Sequence, residues 1–152
     1  MSASSKLLLA TVMVVLTGIL LASGSSLISI PLLEDPYVPL GNVMTWFALI
    51  FLPWGVIQFY TVFGNLGRVL EVIYGLLLRL AMLGGTAWPF IGRYLSGNWA
   101  NNFENIPQES ALFWTYSRYM VMTSLAIFVL ALIQILIQRF VLKNKEEEEP
   151  FY

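Results

Sequence analysis

Three consecutive pieces decide the architecture: VMTWFALIFLPWGVIQFYTVF at residues 43–63, GNLG at 64–67, and RVLEVIYGLLLRLAMLGGTAWPFI at 68–91. The first is uncharged, and the third carries only Arg68, Glu71 and Arg79. Each reaches the roughly 20 mostly apolar residues that cross a bilayer as a helix. The four-residue link Gly64-Asn65-Leu66-Gly67 suits only a tight turn, so the two segments are predicted to form an antiparallel helical hairpin.

Two further spans flank this hairpin. One runs from about Leu7 to Ile30 without a charge, and the last runs from about Phe113 to Leu142, with Arg118 and Arg139 near its ends. Lys6, the apolar run Leu7–Leu21 and the small residues Ala22, Ser23 and Gly24 also fit a signal peptide; the segment is read as a transmembrane helix. The fourth span, at roughly 45 Å of helix, is expected to tilt or protrude. The sequence thus predicts an all-α, polytopic membrane protein. Residues 1–142 form one up-down bundle of four transmembrane helices (about 7–30, 43–63, 68–91 and 113–142), with both termini on one side and an acidic tail at 143–152.

Composition agrees. Of 152 residues, 58% are hydrophobic and 11% charged, against about 25% charged in soluble domains. Mean hydropathy is +0.75. The chain has no cysteine and no histidine, which removes disulfides, thiolate and imidazole metal sites and Ser–His–Asp chemistry. A net charge of −1 argues against a nucleic-acid partner. No phosphate loop, metal-ligand cluster or nucleophile elbow is visible, so the chain reads as a non-enzyme.

Basic residues set the orientation. Lys6, Arg68, Arg139, Lys143 and Lys145 fall on one side of a four-span chain, whereas the loop Pro31–Asn42 holds Glu34 and Asp35 and no base. Both termini are therefore expected on the cytoplasmic, matrix or stromal side. The membrane would be a bacterial or archaeal cytoplasmic membrane, or the inner or thylakoid membrane of an organelle. Trp46, Trp88, Trp99, Trp114, Tyr94, Tyr116 and Tyr119 collect at the outer interface and Tyr60 at the inner one; Trp54 lies near mid-span. The proline-bearing first outer loop is expected to be extended.

Small residues at helical spacing mark packing faces. They are Gly18, Ala22 and Ser26 in the first span, Ala48 and Gly55 in the second, Ala81 and Gly85 in the third, and Ser117, Ser124 and Ala131, continued by Gln138, in the fourth. Gly84-Gly85-Thr86 with Pro89 also reads as a break toward the outer end of the third helix, a feature of ion-binding transporter helices.

Arg79 is the most informative residue. A charge at mid-span costs about 2.5–3.5 kcal/mol on insertion scales, and a guanidinium cannot shed its proton to escape that cost. Glu71 lies eight positions back, about 12 Å along the axis, with Arg68 competing for it. Gln58, Gln134 and Gln138 are the other intramembrane polar groups. They are read as interhelical hydrogen-bonders or as the lining of a polar path. Within the chain Gln58, Gln134 and helix-end carbonyls are candidates to meet Arg79; otherwise it meets an acid of a partner subunit, a lipid headgroup, an anion or substrate, or a cofactor of a larger assembly. The tail Glu146-Glu147-Glu148-Glu149-Pro150-Phe151-Tyr152 offers Phe151 and Tyr152 as partner anchors.

One short element, Asn101-Asn102-Phe103-Glu104-Asn105-Ile106-Pro107, resembles the Asn-x-x-Glu-Asn-x-Pro element of the membrane-associated eicosanoid and glutathione metabolism family. The resemblance covers seven residues and implies a small glutathione-dependent membrane enzyme, with Asn101 and Glu104 at the glutathione site. In that family the element opens the second helix, and an arginine stands close upstream of its Asn; here Arg93 is eight positions back.

The leading expectation is a non-catalytic integral subunit that scaffolds or stabilises a larger membrane complex, of a bioenergetic or electron-transport kind. Its partners would be other integral subunits and structural lipids, and its own side chains would bind no cofactor. A homo-oligomeric channel or transporter with a polar path near Arg79 is the alternative, and the glutathione enzyme a remote one.

Overall fold

The computed structural model describes residues 1–64 and 66–148, with side chains described through residue 140. It is 80% helical. Its elements are α1 (Ala3–Ala22), a 3-10 turn (Ser26–Ser29), β1 (Pro31–Glu34), β2 (Tyr37–Pro39), α2 (Leu40–Phe63), α3 (Arg68–Ser96) and α4 (Pro107–Glu148). All four α-helices are long and apolar enough to cross a membrane, α4 over Pro107–Phe140.

Several boundaries differ from the sequence reading, each for a local reason. α1 stops at Ala22 instead of running to Ile30. Gly24 adopts φ +59°, and Ser25 caps the 3-10 turn by accepting the Leu27 N–H at 3.3 Å. The first outer loop is not merely extended but a β-hairpin, with Leu33 opposite Val38 and Glu34 opposite Tyr37. The Leu40 N–H donates to the Ile30 carbonyl at 2.8 Å and closes its base. α3 continues to Ser96, where Gly97 at φ +73° donates its N–H to the Arg93 carbonyl at 2.8 Å. This left-handed glycine cap ends the helix. α4 starts at Pro107, not near Phe113; a proline suits the first helical position because no partner exists there for its missing N–H. Residues 143–148 continue the α4 backbone instead of starting a separate tail.

The expected break at Gly84-Gly85-Thr86 and Pro89 does not occur. α3 passes through all four residues, and the Thr86 hydroxyl donates back to the Met82 carbonyl at 2.9 Å. The glycines serve close packing instead. A Cβ on Gly85 would lie 2.8 Å from the Leu49 carbonyl oxygen of α2, and one on Gly84 would lie 2.8 Å from the Met120 sulfur of α4.

Successive helices run antiparallel, as three pairs of contacts show. Thr17 and Ala10 of α1 meet Met44 and Gly55 of α2. Gly85 and Gly75 of α3 meet Leu49 and Tyr60 of α2. Gly92 and Gly84 of α3 meet Phe113 and Met120 of α4. The N-terminal end of α1 and the C-terminal half of α4 therefore share one end of the molecule with the α2–α3 turn. α2 packs against the other three helices, whereas α1 lies chiefly along α2.

The small-residue faces are used unequally. Ala81, Gly85, Ser124 and Ala131 are buried as expected. The α1 stripe is not used: Gly18 has nothing within 4 Å of its Cβ position, Ala22 is exposed and Ser26 lies outside the helix. Ala10 and Thr17 carry that contact instead, at 1% and 2% exposure. The Thr17 hydroxyl donates to the Met13 carbonyl at 2.8 Å, which satisfies it within its own helix. The core splits into a cluster nearer the α2–α3 turn around Val56, Tyr60, Leu78 and Ile127 and one toward the opposite end around Leu49, Trp88, Phe113 and Met120. Leu8, Val69, Leu83 and many other large apolar side chains face outward, a surface that suits lipid and not water.

Candidate functional site

Three polar features stand on this apolar frame. The first is the outward face of α3. Arg79 is exposed, and its side chain reaches back toward Gly75, as helical side chains do. A Cβ on Gly75 would lie 3.8 Å from Arg79 Nη1 and 3.5 Å from the Tyr60 hydroxyl. Gly75 itself is buried beneath the guanidinium and the phenol. Glu71 lies one turn further on the same stripe and is also exposed. Among the described residues Arg79 makes no ion pair and no hydrogen bond, and neither does the Glu71 carboxylate.

The second feature latches the α2–α3 turn to α4. Gln134 Nε2 donates to the Leu66 carbonyl at 3.3 Å, and Arg139 Nη2 donates to the Phe63 carbonyl at 3.4 Å. Ile135, between them in sequence, packs so closely on Gly64 that no Cβ would fit there. Gln134 thus reaches the turn between two helices and not a neighbouring helix, and Arg139 likewise contacts the end of α2. Gln58 and Gln138 make no hydrogen bond among the described residues. Phe151 and Tyr152 lie outside the described residues. We expect Gln134→Leu to lower stability by about 0.6–2 kcal/mol, the range of interhelical hydrogen bonds in membranes. A fall in the unfolding midpoint in mixed micelles would show it, and an unchanged midpoint would mean that the apolar contact of Ile135 alone holds the turn.

The third feature is an aromatic cavity of about 580 Å³ at the end opposite the α2–α3 turn, between the β-hairpin, α2, α3 and the α3–α4 loop. Loop geometry builds one wall. Asn98 accepts the Asn102 N–H at 3.0 Å and donates to the Asn102 and Ser96 carbonyls at 2.9 Å each. Asn101 sits at φ +54°, a conformation that asparagine tolerates better than most residues. Its side chain packs directly onto Gly92. Asn42 Nδ2 donates to the Trp99 carbonyl at 3.1 Å and ties the loop to α2. The Arg93 guanidinium lies 4.6 Å over the Trp99 ring, a cation–π contact. Trp88 donates from Nε1 to the Ser117 hydroxyl at 2.9 Å, and Tyr116 donates to the Gly84 carbonyl at 2.6 Å. Among the described residues, Trp46 Nε1 and Asn101 Oδ1 are buried with no hydrogen-bond partner. Each such atom carries a desolvation cost of about 1–3 kcal/mol.

A second hollow, of about 420 Å³, lies between α1, α2 and α4, with Thr11 as its single hydroxyl-bearing residue. Neither hollow includes Arg79 or Gln58 in its wall.

The sequence reading placed Trp46 in an interfacial belt and Asn101 in a polar loop, and joined neither to a cavity. The positive φ at Asn101 is not encoded by any glycine signal, and the approach of the loop to Gly92 is tertiary. In the element resembling the glutathione family, Asn101 lines the cavity, while Glu104 is exposed and accepts a hydrogen bond from Asn102 at 3.2 Å. No protein-family model matches the chain. No characterised protein matches it either, and no solved structure does. The glutathione reading therefore rests on the seven-residue element alone.

Proposed function

We propose that the chain is a polytopic membrane protein crossing the bilayer four times, and that it acts as a non-catalytic subunit of a larger membrane complex. The observation that carries this reading is Arg79: mid-helix in α3, exposed at the surface of the bundle, and unpaired among the described residues. A guanidinium at that depth requires a counter-charge or polar contact, and the chain's own acid, Glu71, does not supply one. The partner is accordingly an integral subunit that presents a carboxylate at the depth of Arg79. Structural lipids fill the remaining apolar faces. A bioenergetic assembly suits such a subunit, because its cores carry intramembrane carboxylates.

The charge distribution supports termini on the cytoplasmic, matrix or stromal side. Lys6, Arg68 and Arg139 outnumber Glu71 at the end that holds the α2–α3 turn, and Glu34, Asp35, Glu104 and Glu109 outnumber Arg93 and Arg118 at the other. The test is purification of the tagged chain from its native membrane in mild detergent, followed by native mass analysis. Recovery in a stoichiometric complex with other integral subunits is expected. Recovery as a stable monomer or small homo-oligomer would overturn the proposal and favour the channel or transporter reading.

A further inference from the structure

α1 and α4 each pack on α2 but hardly touch each other. The hollow of about 420 Å³ between them is therefore a groove, floored by α2 and walled by the other two helices. Leu7 and Val15 bound it on α1, Phe51 and Phe59 on α2, and Leu125 and Phe128 on α4. Val15 and Leu125 are exposed at its rim. From Leu7 to Val15 it runs for about 12 Å, close to the roughly 15 Å of hydrocarbon in one leaflet. Its single hydroxyl, on Thr11, donates to the Leu7 carbonyl at 2.9 Å. The walls thus hold no donor in want of a partner, and what lies between them is hydrocarbon.

One end of this groove is basic. The Phe59 ring in its floor lies 5.2 Å from the Phe63 ring, centroid to centroid. The Phe63 carbonyl accepts from Arg139 Nη2 at 3.4 Å. Arg139 stands eleven positions after Phe128, about three helical turns, so it falls on the stripe of α4 that faces the groove. It is exposed, and the bond to Phe63 uses one of a guanidinium's five N–H donors. Lys6 directly precedes Leu7, and a helical side chain leans toward its own N-terminus, here the same end of the molecule. α1 and α2 contain no acidic residue. A hydrocarbon slot that ends at two cations complements an amphiphile with an apolar tail and a negative head, and basic sites between membrane helices recognise anionic headgroups.

We infer that this groove binds one anionic phospholipid, an acyl chain lying along α2 and the phosphodiester held by Arg139 and Lys6. The lipid fills the gap between α1 and α4 and joins them. The inference rests on the four-span reading and is independent of Arg79, which lies on α3.

The test titrates the full chain in mild-detergent micelles with phosphatidylglycerol and with phosphatidylcholine of identical acyl chains, read by native mass spectrometry. Saturable binding of one phosphatidylglycerol per chain is expected, with phosphatidylcholine at least about tenfold weaker, the scale of one charge-assisted hydrogen bond. Arg139→Gln keeps a donor for the Phe63 carbonyl and removes the charge, so it should weaken phosphatidylglycerol about tenfold. Val15→Trp leaves every cation in place and fills the groove from its exposed rim, with an effect of similar size. Leu83→Trp, the same kind of change at an exposed α3 position outside the groove, should have none. Equal affinity for the two lipids would overturn the inference without recourse to any variant. So would wild-type phosphatidylglycerol binding by a Val15→Trp chain of unchanged circular dichroism, because the lipid would then sit elsewhere. Either result leaves the four-span reading standing; recovery of the chain in the aqueous fraction without detergent would sink both.

Discussion

Gly85→Leu should unfold the α2–α3 pairing, while Gly18→Leu should leave the molecule as stable as before or slightly more so. The Cβ of any residue at Gly85 would stand 2.8 Å from the Leu49 carbonyl oxygen and 3.0 Å from its carbon. Those atoms are helical backbone and cannot swing aside like a side-chain tip. The two helices would have to separate, and the contacts around Leu49 and Trp88 would open with them. Overpacking costs about 1–3 kcal/mol where side chains can yield, so against backbone the loss should exceed about 3 kcal/mol, with Gly85→Ala already costing about 1–3. Gly18, by contrast, has nothing within 4 Å of its Cβ position. Replacing a mid-helix glycine there removes a backbone-entropy cost of about 0.5–1 kcal/mol. Unfolding midpoints followed by circular dichroism in mixed micelles would separate the two. Equal effects at both positions would mean that α2 and α3 do not approach as described.

Arg79→Leu should abolish the proposed assembly and spare the fold of the chain itself. If Arg79 meets a carboxylate of a neighbouring subunit, deleting it leaves that acid buried and unpaired. Breaking a buried pair costs about 3–5 kcal/mol, which corresponds to a weakening of association by at least about a hundredfold. The isolated chain should meanwhile insert at least as well, because leucine at mid-span removes a cost of about 2.5–3.5 kcal/mol. Arg79→Lys keeps the charge and loses the planar fork, so it should retain assembly in part. Native mass analysis of the three forms, alongside their yield in the membrane, reads both effects. Full assembly of the leucine variant would show that Arg79 reaches a lipid headgroup instead of a subunit.

These predictions also mark where sequence reading reaches and stops. The stripe Gly18-Ala22-Ser26 and the pair Ala81-Gly85 look alike on paper, since both put small residues at four-residue spacing. Only the second lies at a helix interface, because α1 ends at Ala22 and turns Ala10 and Thr17 toward α2 instead. Gly84-Gly85-Thr86 with Pro89 has the composition of a helix break, yet α3 runs through it. Neighbouring helices pack tightly against those glycines, and such contacts can hold a helix that local propensity would interrupt.

By itself the sequence determined the number of helices, their approximate places, the short link between α2 and α3, and that Glu71 lies too far along the axis to pair with Arg79. Each of these follows from quantities that act along the chain: the length of an apolar run against the bilayer, the distribution of charge, and the rise of a helix per residue. It also singled out Gln134 as a residue able to join two helices. The tertiary structure alone decided which small-residue faces are buried, that Gln134 and Arg139 hold the α2–α3 turn, and that Trp46 and Asn101 wall one cavity. Trp46 and Asn101 are 55 positions apart in the sequence. They share a cavity wall because α2 and α3 pack antiparallel and the loop after α3 folds back over Gly92, where the side chain of Asn101 fits only because Gly92 has none.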